Sequence, residues 1–267
     1  MTAPRALVAG NWKMNGLKQA VYEITRLNEL INVNGATCDV LICPPFTLIG
    51  HLNSLSAPNV AIGAQDCHMN MSGAHTGDIS AEMLNELGCG YIIVGHSERR
   101  ADHGESSETV NAKAVAAQNV GATAIICVGE TIEQREAGEA LDVVTTQLKA
   151  SIPDSATTDN TIIAYEPVWA IGTGKTATIS DIEHVHESLK ERYPIKHLLY
   201  GGSVKVENAK EILEANEVDG LLIGTTSWDV EKFKEIFLGV AMLELMTKFC
   251  LVVLKSKRLL VFMIYLF

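Results

Sequence analysis

The stretch from 164 to 177, A-Y-E-P-V-W-A-I-G-T-G-K-T-A, joins a carboxylate to a glycine-rich loop. An apolar run, Thr161–Tyr165, predicts a buried strand, and Glu166 stands at its carboxyl end. The loop begins directly afterwards, at Pro167. A carboxylate beside a segment that can close over it is what proton abstraction in a water-free site requires.

Two other interpretations account for less of this loop. Its end, G-K-T at 174–176, matches the end of a nucleotide-binding P-loop. That motif needs a glycine five positions before Gly174, where Trp169 stands, so we reject it. An ordinary glycine-rich turn between strand and helix explains the loop itself, but it explains neither Glu166 nor Trp169.

Composition limits the class of protein. The 267 residues, 47% of them hydrophobic, suit one large α/β domain. A net charge of −11 argues against nucleic-acid binding, although backbone N–H groups could still hold a small anion. The six cysteines include no C-x-x-C pair and no histidine cluster has metal-ligand spacing, so we expect no metal site. Scattered thiols and the lack of a signal peptide predict a cytoplasmic protein.

Short apolar runs alternate with helical patterns along the chain. The predicted strands are Ala6–Gly10, Val40–Cys43, Val60–Ala64, Tyr91–Gly95, Ala122–Val128, Thr161–Tyr165, His197–Gly201 and Gly220–Gly224. The helical patterns include Lys18–Leu30, Ser106–Gln118, Glu133–Lys149 and Ser180–Arg192. Eight such units predict a (β/α)8 TIM barrel of parallel strands over residues 1–240. The alternative, a doubly wound open sheet, would carry G-x-G-x-x-G where this chain has G-N-W-K-M-N.

The active site of such a barrel lies at the carboxyl ends of its strands, where this sequence concentrates polar and small residues. They are Asn11 and Lys13 after strand 1, His96 and Glu98 after strand 4, Glu166 after strand 6, Ser203 after strand 7, and Gly224 and Thr225 after strand 8. Taken singly, each is an ordinary strand-end or surface residue. Together they predict proton transfer on a small phosphorylated carbonyl compound, without metal or organic cofactor.

Four longer motifs stand in a fixed order along the chain. They are A-G-N-W-K-M-N at 9–15, G-H-S-E-R-R at 95–100, the loop motif at 164–177 and Y-G-G-S-V at 200–204. This set resembles the triosephosphate isomerase family, from about residue 5 to about residue 240. The resemblance implies interconversion of dihydroxyacetone phosphate and D-glyceraldehyde 3-phosphate, a step of glycolysis and gluconeogenesis, with no cofactor.

The resemblance also implies roles for the strand-end residues. Glu166 would remove the proton beside the carbonyl, and His96 would polarise the carbonyl oxygen and move protons between the enediol oxygens. Lys13 would offset the charge of the phosphate and the enediolate, with Asn11 and Glu98 in support. This family is the standard example of a glutamate base beside a neutral histidine, and a short helix opening after the histidine would disfavour the imidazolium.

By the same resemblance, the loop from Pro167 to Ala177 is a lid that keeps water from the enediolate and prevents loss of phosphate. The lid residues are Pro167, Trp169 and Lys175, and Tyr200 and Ser203 would latch it. The N–H of Gly172 would reach the substrate phosphate, which the loops at Ser203 and Gly224 also contact.

The segment from 65 to 80 is long for a connection between strand and helix. Its plain interpretation is a surface excursion, whereas the resemblance implies a dimer arm and hence a homodimer. Thr76 would insert beside Asn11 of the partner subunit. Asp78 would pair with Arg99 of the partner subunit, and Met14 would lie at the same contact.

One site residue departs from the family pattern, which has two glycines after strand 8. Here Gly224 is followed by Thr225. A β-branched residue resists unusual backbone angles and adds bulk near the ligand, so we expect weaker phosphate binding. Alternatively, the threonine hydroxyl itself hydrogen-bonds the phosphate.

Residues 241–267 form an apolar extension of unknown role beyond the usual end of the family. The run Leu259–Phe267 is too short for a bilayer, which takes about 20 residues, and 236–254 carries Glu244 and Lys248. We expect the last barrel helix to continue and pack its apolar face. Membrane contact through the basic cluster at 255–258, and a tail without function, stay open as alternatives.

Two other classes of function also stay open. A Schiff-base aldolase would need a lysine within a central strand, and no predicted strand contains one. A catalytically impaired barrel with a scaffold or membrane-peripheral role would be expected to lack at least one of Asn11, Lys13, His96 and Glu166, and all four are present.

Overall fold

The computed structural model describes residues 5–35, 38–55, 57–171, 175–193, 195 and 197–238. The strands are β1 Leu7–Asn11, β2 Asp39–Cys43, β3 Ala61–Ile62, β4 Tyr91–Val94, β5 Thr123–Val128, β6 Thr161–Tyr165, β7 His197–Tyr200 and β8 Gly220–Ile223. The α-helices are α1 Val21–Asn34, α2 Phe46–Asn53, α3 Ala81–Glu86, α4 Ser97–His103, α5 Ser107–Asn119, α6 Ile132–Glu136, α7 Ala140–Ser151, α8 Ile179–Arg192 and α9 Val206–Glu214. Residues 230–238 are helical as well, and 3-10 helices occupy Lys18–Ala20, Val168–Ala170 and Thr225–Trp228.

The described strands form one parallel sheet in the order β3-β2-β1-β8-β7-β6-β5-β4. Its two outer strands meet through Ala64. The Ala64 N–H donates to the Tyr91 carbonyl at 2.9 Å, and the Ile93 N–H donates to the Ala64 carbonyl at 2.9 Å. The sheet therefore closes into a barrel, so the predicted (β/α)8 TIM barrel is confirmed and the open doubly wound sheet is wrong.

Alternate strand residues pack into two apolar layers. The inner layer consists of Leu7, Ala9, Leu41, Cys43, Ile93, Ile125, Cys127, Ile162, Ala164, Leu199 and Leu222. Their neighbours in the strands, such as Val8, Val40 and Ile42, belong to the larger cluster shared with the helices. Because successive strand side chains point to opposite faces, burial of both faces produces the continuous apolar runs seen in the sequence.

Two predicted elements differ from the structure. The strand expected over Val60–Ala64 is shorter in the structure, Ala61–Ile62, because its regular pairing with β2 covers only these two residues. Ala64 pairs with Ile92 of β4 instead. The helix expected over Glu133–Lys149 is two helices, α6 and α7, separated at Gly138, whose φ of +78° favours glycine. Gly172 and the extension 241–267 lie outside the described residues. Within the described ranges no helix is long and apolar enough to cross a bilayer.

Candidate active site

A cavity of about 260 Å³ opens at the carboxyl ends of the strands. The predicted site residues that border it are Asn11, Lys13, His96, Glu166, Ser203, Gly224 and Thr225. The rest of its described lining is Ile171, Gly201, Gly202, Val204, Lys205, Leu222 and Thr226. These residues follow or end β1, β4, β6, β7 and β8, so the barrel brings together side chains that are far apart in sequence.

Glu166 follows β6 and is 2% exposed. Its N–H donates to the Val128 carbonyl at 2.8 Å, which ties its backbone to β5. Its Oε1 lies 3.3 Å from His96 Nε2, and its Oε2 accepts the Ser97 N–H at 3.4 Å. A Cβ on Gly201 would lie 2.8 Å from Glu166 Cγ, so glycine leaves the space that the side chain occupies. The carboxylate is therefore buried at the cavity wall with two long polar contacts.

His96 stands at the end of β4 and caps α4. Its Nδ1 accepts the Glu98 N–H at 3.2 Å. A nitrogen that accepts this bond carries no hydrogen, so the neutral ring holds its hydrogen on Nε2, which faces Glu166. The expected short helix is present, and Nε2 is the ring nitrogen that faces Glu166.

Lys13 has a left-handed backbone, φ +52°, which is uncommon for a residue with a side chain. Its N–H donates to Asn11 Oδ1 at 3.0 Å, and its carbonyl accepts the Gln65 side-chain amide at 2.9 Å. Its ammonium pairs with Glu98 Oε1 at 2.5 Å. Lys13 Cε would lie 3.3 Å from a Cβ on Gly224, so the side chain reaches across to the end of β8. Asn11 thus holds the backbone of Lys13, and Glu98 pairs with the Lys13 ammonium.

The loops after β7 and β8 form the opposite wall. Ser203 follows β7, and the 3-10 helix that begins at Thr225 follows Gly224. The first N–H groups of a helix have no acceptor inside it, so they are free to meet an anion. Among described residues other than glycine, positive φ occurs at Lys13 and Glu217, so Thr225 has an ordinary backbone. The unusual backbone angles expected at Thr225 are therefore absent. Only the bulk of its side chain remains as a reason for weaker phosphate binding.

The first turn of the lid contacts Glu130, which the sequence analysis missed. Glu130 is fully buried after β5, and its Oε1 accepts from Trp169 Nε1 at 2.9 Å and from the Tyr165 hydroxyl at 3.2 Å. Arg135 pairs with the same oxygen at 3.2 Å and stands over the Trp169 ring, 5.5 Å from its centroid. Arg135 also pairs with Asp181 in the first turn of α8. One arginine thus connects both ends of the lid.

Tyr200, the predicted latch, ends β7 and is fully buried. Burial raises the pKa of its hydroxyl to about 12. The hydroxyl leaves no room for a side chain at Gly202, and a Cβ there would also lie 3.2 Å from Pro167 Cγ. Tyr200 therefore lies beneath the point where the lid meets the loop after β7. Lys175 is exposed at the far end of the lid.

Two further residues behind Glu166 were not found from the sequence. Arg100 donates to the Gly95 carbonyl at 2.9 Å, to Ser151 Oγ at 3.0 Å and to the Cys127 carbonyl at 3.2 Å, which ties the ends of β4 and β5 together. Burial, and then the charge of Glu166, raise the pKa of the Cys127 thiol well above its ordinary value. Cys127 is therefore an inert neighbour of the carboxylate.

A buried ionic cluster lies beneath the segment from 65 to 80. Arg99 Nε pairs with Glu105 at 2.6 Å and with Asp66 at 2.8 Å, and Lys113 pairs with the same two carboxylates at 2.5 and 2.8 Å. Burial raises the pKa of Glu105, but the hydrogen bonds from Lys113 and Arg99 outweigh it and leave that pKa below its ordinary value. Thr76 and Asp78 are exposed, and Met14 is 96% exposed.

Comparisons with known proteins agree with this geometry. The family model described as triosephosphate isomerase matches residues 6–240. A triosephosphate isomerase of Rhodopseudomonas palustris (strain BisA53) is 51% identical over 248 residues, 89% of this chain and 98% of the relative. One of Ruegeria sp. (strain TM1040) is 50% identical over 245 residues, 89% of this chain and 98% of the relative. The crystal structure of triosephosphate isomerase from Bartonella henselae superposes with a TM-score of 0.79 at 42% identity, covering 87% of this chain and 98% of that one.

Proposed function

Because the chain belongs to the triosephosphate isomerase family, we propose that the cavity at the mouth of its barrel carries out that family's reaction. The protein is an isomerase that interconverts dihydroxyacetone phosphate and D-glyceraldehyde 3-phosphate. One observation carries the assignment of roles: the histidine nitrogen that must hold the ring hydrogen lies 3.3 Å from the buried Glu166 carboxylate. This contact supports Glu166 as the base and His96 as the neutral donor.

In the proposed mechanism Glu166 removes a proton from the carbon next to the carbonyl. The electron pair of that C–H bond forms the double bond of the enediolate, and the carbonyl oxygen takes the negative charge. His96 Nε2–H donates a hydrogen bond to this oxygen. His96 then carries a proton from one enediol oxygen to the other, while Glu166 returns its proton to the neighbouring carbon. The carbonyl has moved by one carbon, with no net gain or loss of electrons.

Lys13 supplies positive charge to both the enediolate and the phosphate. Its side chain spans from the end of β1 to Gly224, which supports a position for its ammonium between the two negative ends of the substrate. Glu98 holds the ammonium, and the Asn11 side chain holds the unusual backbone of Lys13. Exclusion of water strengthens this attraction, because the local dielectric falls.

The phosphate is proposed to bind the N–H groups of the loops at Ser203, Gly224 and Thr225, joined on closure by the N–H of Gly172 from the lid. The lid protects the enediolate from water and from loss of phosphate. The hydrogen bond from Trp169 to Glu130 supports the first turn of the lid. Tyr200 and Ser203 are proposed to hold the closed position.

We propose that the protein works as a cytoplasmic homodimer. The exposed Met14 lies next to Lys13 in sequence, and Thr76 is exposed on the segment from 65 to 80. A partner that covers this surface would support Lys13 and Asn11 from outside. The cysteines in the described part of the chain are buried thiols outside any disulfide, which suits a reducing compartment.

The alternative of an impaired scaffold barrel is not favoured, since Asn11, Lys13, His96 and Glu166 all border one cavity. We propose that residues 1–240 carry the activity and that 241–267 is an accessory extension. A coupled assay in both directions, on the full chain and on a chain lacking 241–267, tests both statements. We expect activity in both proteins. A folded full chain without isomerase activity would contradict the function, and activity lost only on deletion would contradict the accessory role.

A further inference from the structure

A second cavity of about 280 Å³, the rear cavity, lies between α4, the loop after β5 and the start of the lid. Its lining includes Ser97, Ala101, Thr131, Gln147, Glu166 and Val168. Among the described residues that line the two cavities, Glu166 is the one common to both. Ala101 and Thr131 are exposed, so the rear cavity reaches the surface. The proposed base therefore stands between two separate spaces.

The two oxygens of the Glu166 carboxylate have different neighbours. Oε1 lies 3.3 Å from His96 Nε2, and His96 borders the catalytic cavity. Oε2 accepts the Ser97 N–H at 3.4 Å, and Ser97 borders the rear cavity. Within the described part of the chain the Ser97 hydroxyl has no hydrogen-bond partner, so it can bind water near Oε2. One oxygen thus has its contact on the catalytic side and the other on the rear side.

Hydrogen bonds hold the walls of the rear cavity in place. The Gln147 side chain accepts from the Gly129 N–H at 3.0 Å and donates to the Gly129 carbonyl at 3.0 Å, which fixes the loop after β5 to α7. Arg100 donates to the Gly95 carbonyl at 2.9 Å and to the Cys127 carbonyl at 3.2 Å, which fixes α4 to the ends of β4 and β5. These contacts lie outside the lid, so they do not depend on its position.

We propose that the rear cavity holds a chain of water molecules that exchanges the proton carried by Glu166 with bulk solvent while the lid is closed. This rests on the proposed role of Glu166 as the base. A water molecule takes up about 30 Å³ in the liquid, so a cavity of about 280 Å³ has room for several. Ile171 of the lid lines the catalytic cavity, whereas the rear cavity has Val168 from the first turn of the lid. Closure over the substrate therefore leaves this path open.

The exchange competes with the return of the proton to carbon. Glu166 first receives the proton on the oxygen that faces the substrate. A half turn about the last side-chain bond brings the O–H group to the rear cavity, because this torsion has two nearly equivalent positions. The proton then passes to a water molecule, and a proton from water takes its place on the carboxyl oxygen. No bond to carbon and no electron pair of the enediolate takes part, so the water reaches the base and leaves the intermediate intact.

The test is the isomerisation of D-glyceraldehyde 3-phosphate by the full chain in deuterium oxide. Nuclear magnetic resonance early in the reaction gives the fraction of dihydroxyacetone phosphate that carries deuterium on carbon. We expect the wild type to form both labelled and unlabelled product. Ala101→Phe places a large apolar side chain at the mouth of the rear cavity. It should lower the labelled fraction at least about twofold, while kcat/KM changes by less than about twofold.

Ala101→Cys gives a reversible form of the same test, which also serves if Ala101→Phe does not fold. Benzyl methanethiosulfonate fills the mouth of the rear cavity by forming a mixed disulfide with the new thiol, and dithiothreitol removes the group. We expect the labelled fraction to fall on modification and to recover on reduction. Thr146→Cys, exposed on α7 and outside the lining of the rear cavity, is the matched control. Its labelled fraction should stay at the wild-type value throughout, and treated wild type accounts for the native thiols.

An active wild type whose product carries no deuterium would overturn the proposal. The same conclusion would follow from an unchanged labelled fraction in active Ala101→Phe and in active, modified Ala101→Cys. A folded chain without isomerase activity would instead contradict the proposed function and, with it, this exchange. The rate and the label are measured in the same reaction, so the two failures can be told apart.

Discussion

At the residue scale, the proposed mechanism depends on which nitrogen of His96 carries the hydrogen. The Glu98 N–H occupies Nδ1, and this leaves Nε2 as the donor toward Glu166. Sequence motifs pointed to His96, Glu166 and Lys13, and the structure brings all three to one cavity because each follows a strand of the barrel. They did not reveal Glu130 or Gln65. Glu130 accepts a hydrogen bond from Trp169 and Gln65 donates one to the Lys13 carbonyl, and both partners are far away in sequence.

Thr225 offers a test of how the phosphate end of the site is shaped. Its side chain borders the cavity where bare backbone is expected in this family. We expect Thr225→Gly to lower KM several-fold, equivalent to about 1 kcal/mol, with kcat changed less, because phosphate binding improves equally in the ground state and the transition state. Steady-state kinetics decide the matter. An unchanged KM would refute the steric account, and a higher KM would show that the hydroxyl itself binds phosphate.

At the element scale, sequence reasoning located the strands well, because burial on both faces leaves an unmistakable apolar run. It joined α6 and α7 into one helix, since their apolar patterns continue across Gly138. It also gave no sign of the rear cavity, because residues that follow β4, β5 and β6 enclose it together. Loop geometry of this kind has no periodic signal in the sequence.

The hinge of the lid can be weakened through Trp169. Trp169→Phe removes the hydrogen bond to Glu130 but keeps a ring beneath Arg135. A bond to a charged group contributes about 1.5–3 kcal/mol, so we expect kcat/KM to fall by roughly 10- to 100-fold. Release of inorganic phosphate per turnover should rise, since the lid protects the enediolate. Tyr22→Phe, at an exposed ring on α1, is the control. Phosphate release at the wild-type ratio would argue against this hinge.

Helix α8 carries a fully buried histidine that should make stability depend on pH. Burial lowers the pKa of His186 to about 4, while its Nδ1 bonds the Glu217 carbonyl at 2.9 Å. The unfolded chain binds this proton below about pH 6.5, so stability is full above that pH and falls as the pH drops toward 4. About 2 kcal/mol should be lost between pH 7 and pH 5.

Urea unfolding at the two pH values, at one protein concentration, measures this loss. His186→Gln should be less stable at pH 7, because its packing against Tyr165 changes. It should nevertheless lose about 2 kcal/mol less than the wild type between pH 7 and pH 5. The same pH dependence in both proteins would mean that other groups control acid stability.

At the scale of the whole molecule, the barrel places the active-site cavity at the carboxyl ends of its strands, and Met14 and Thr76 are exposed to solvent in a single chain. We expect sedimentation at micromolar concentration to give a dimer. Thr76→Arg should shift it to monomer and reduce activity, because a large cation cannot insert into the partner. Thr146→Arg, on the exposed side of α7, should leave both unchanged. A monomeric wild type with full activity would rule out the dimer proposal.

The most direct test of the central claim is a kinetic comparison of the wild type with Glu166→Asp. Shortening the base by one methylene leaves the phosphate loops intact but withdraws the carboxylate by about 1 Å, which costs roughly 100-fold in rate. The account predicts a kcat lower by about that factor with a similar KM, and wild-type kinetics for Glu136→Asp on the exposed side of α6. A Glu166→Asp enzyme with nearly unchanged kcat, or one impaired only in KM, would contradict Glu166 as the base.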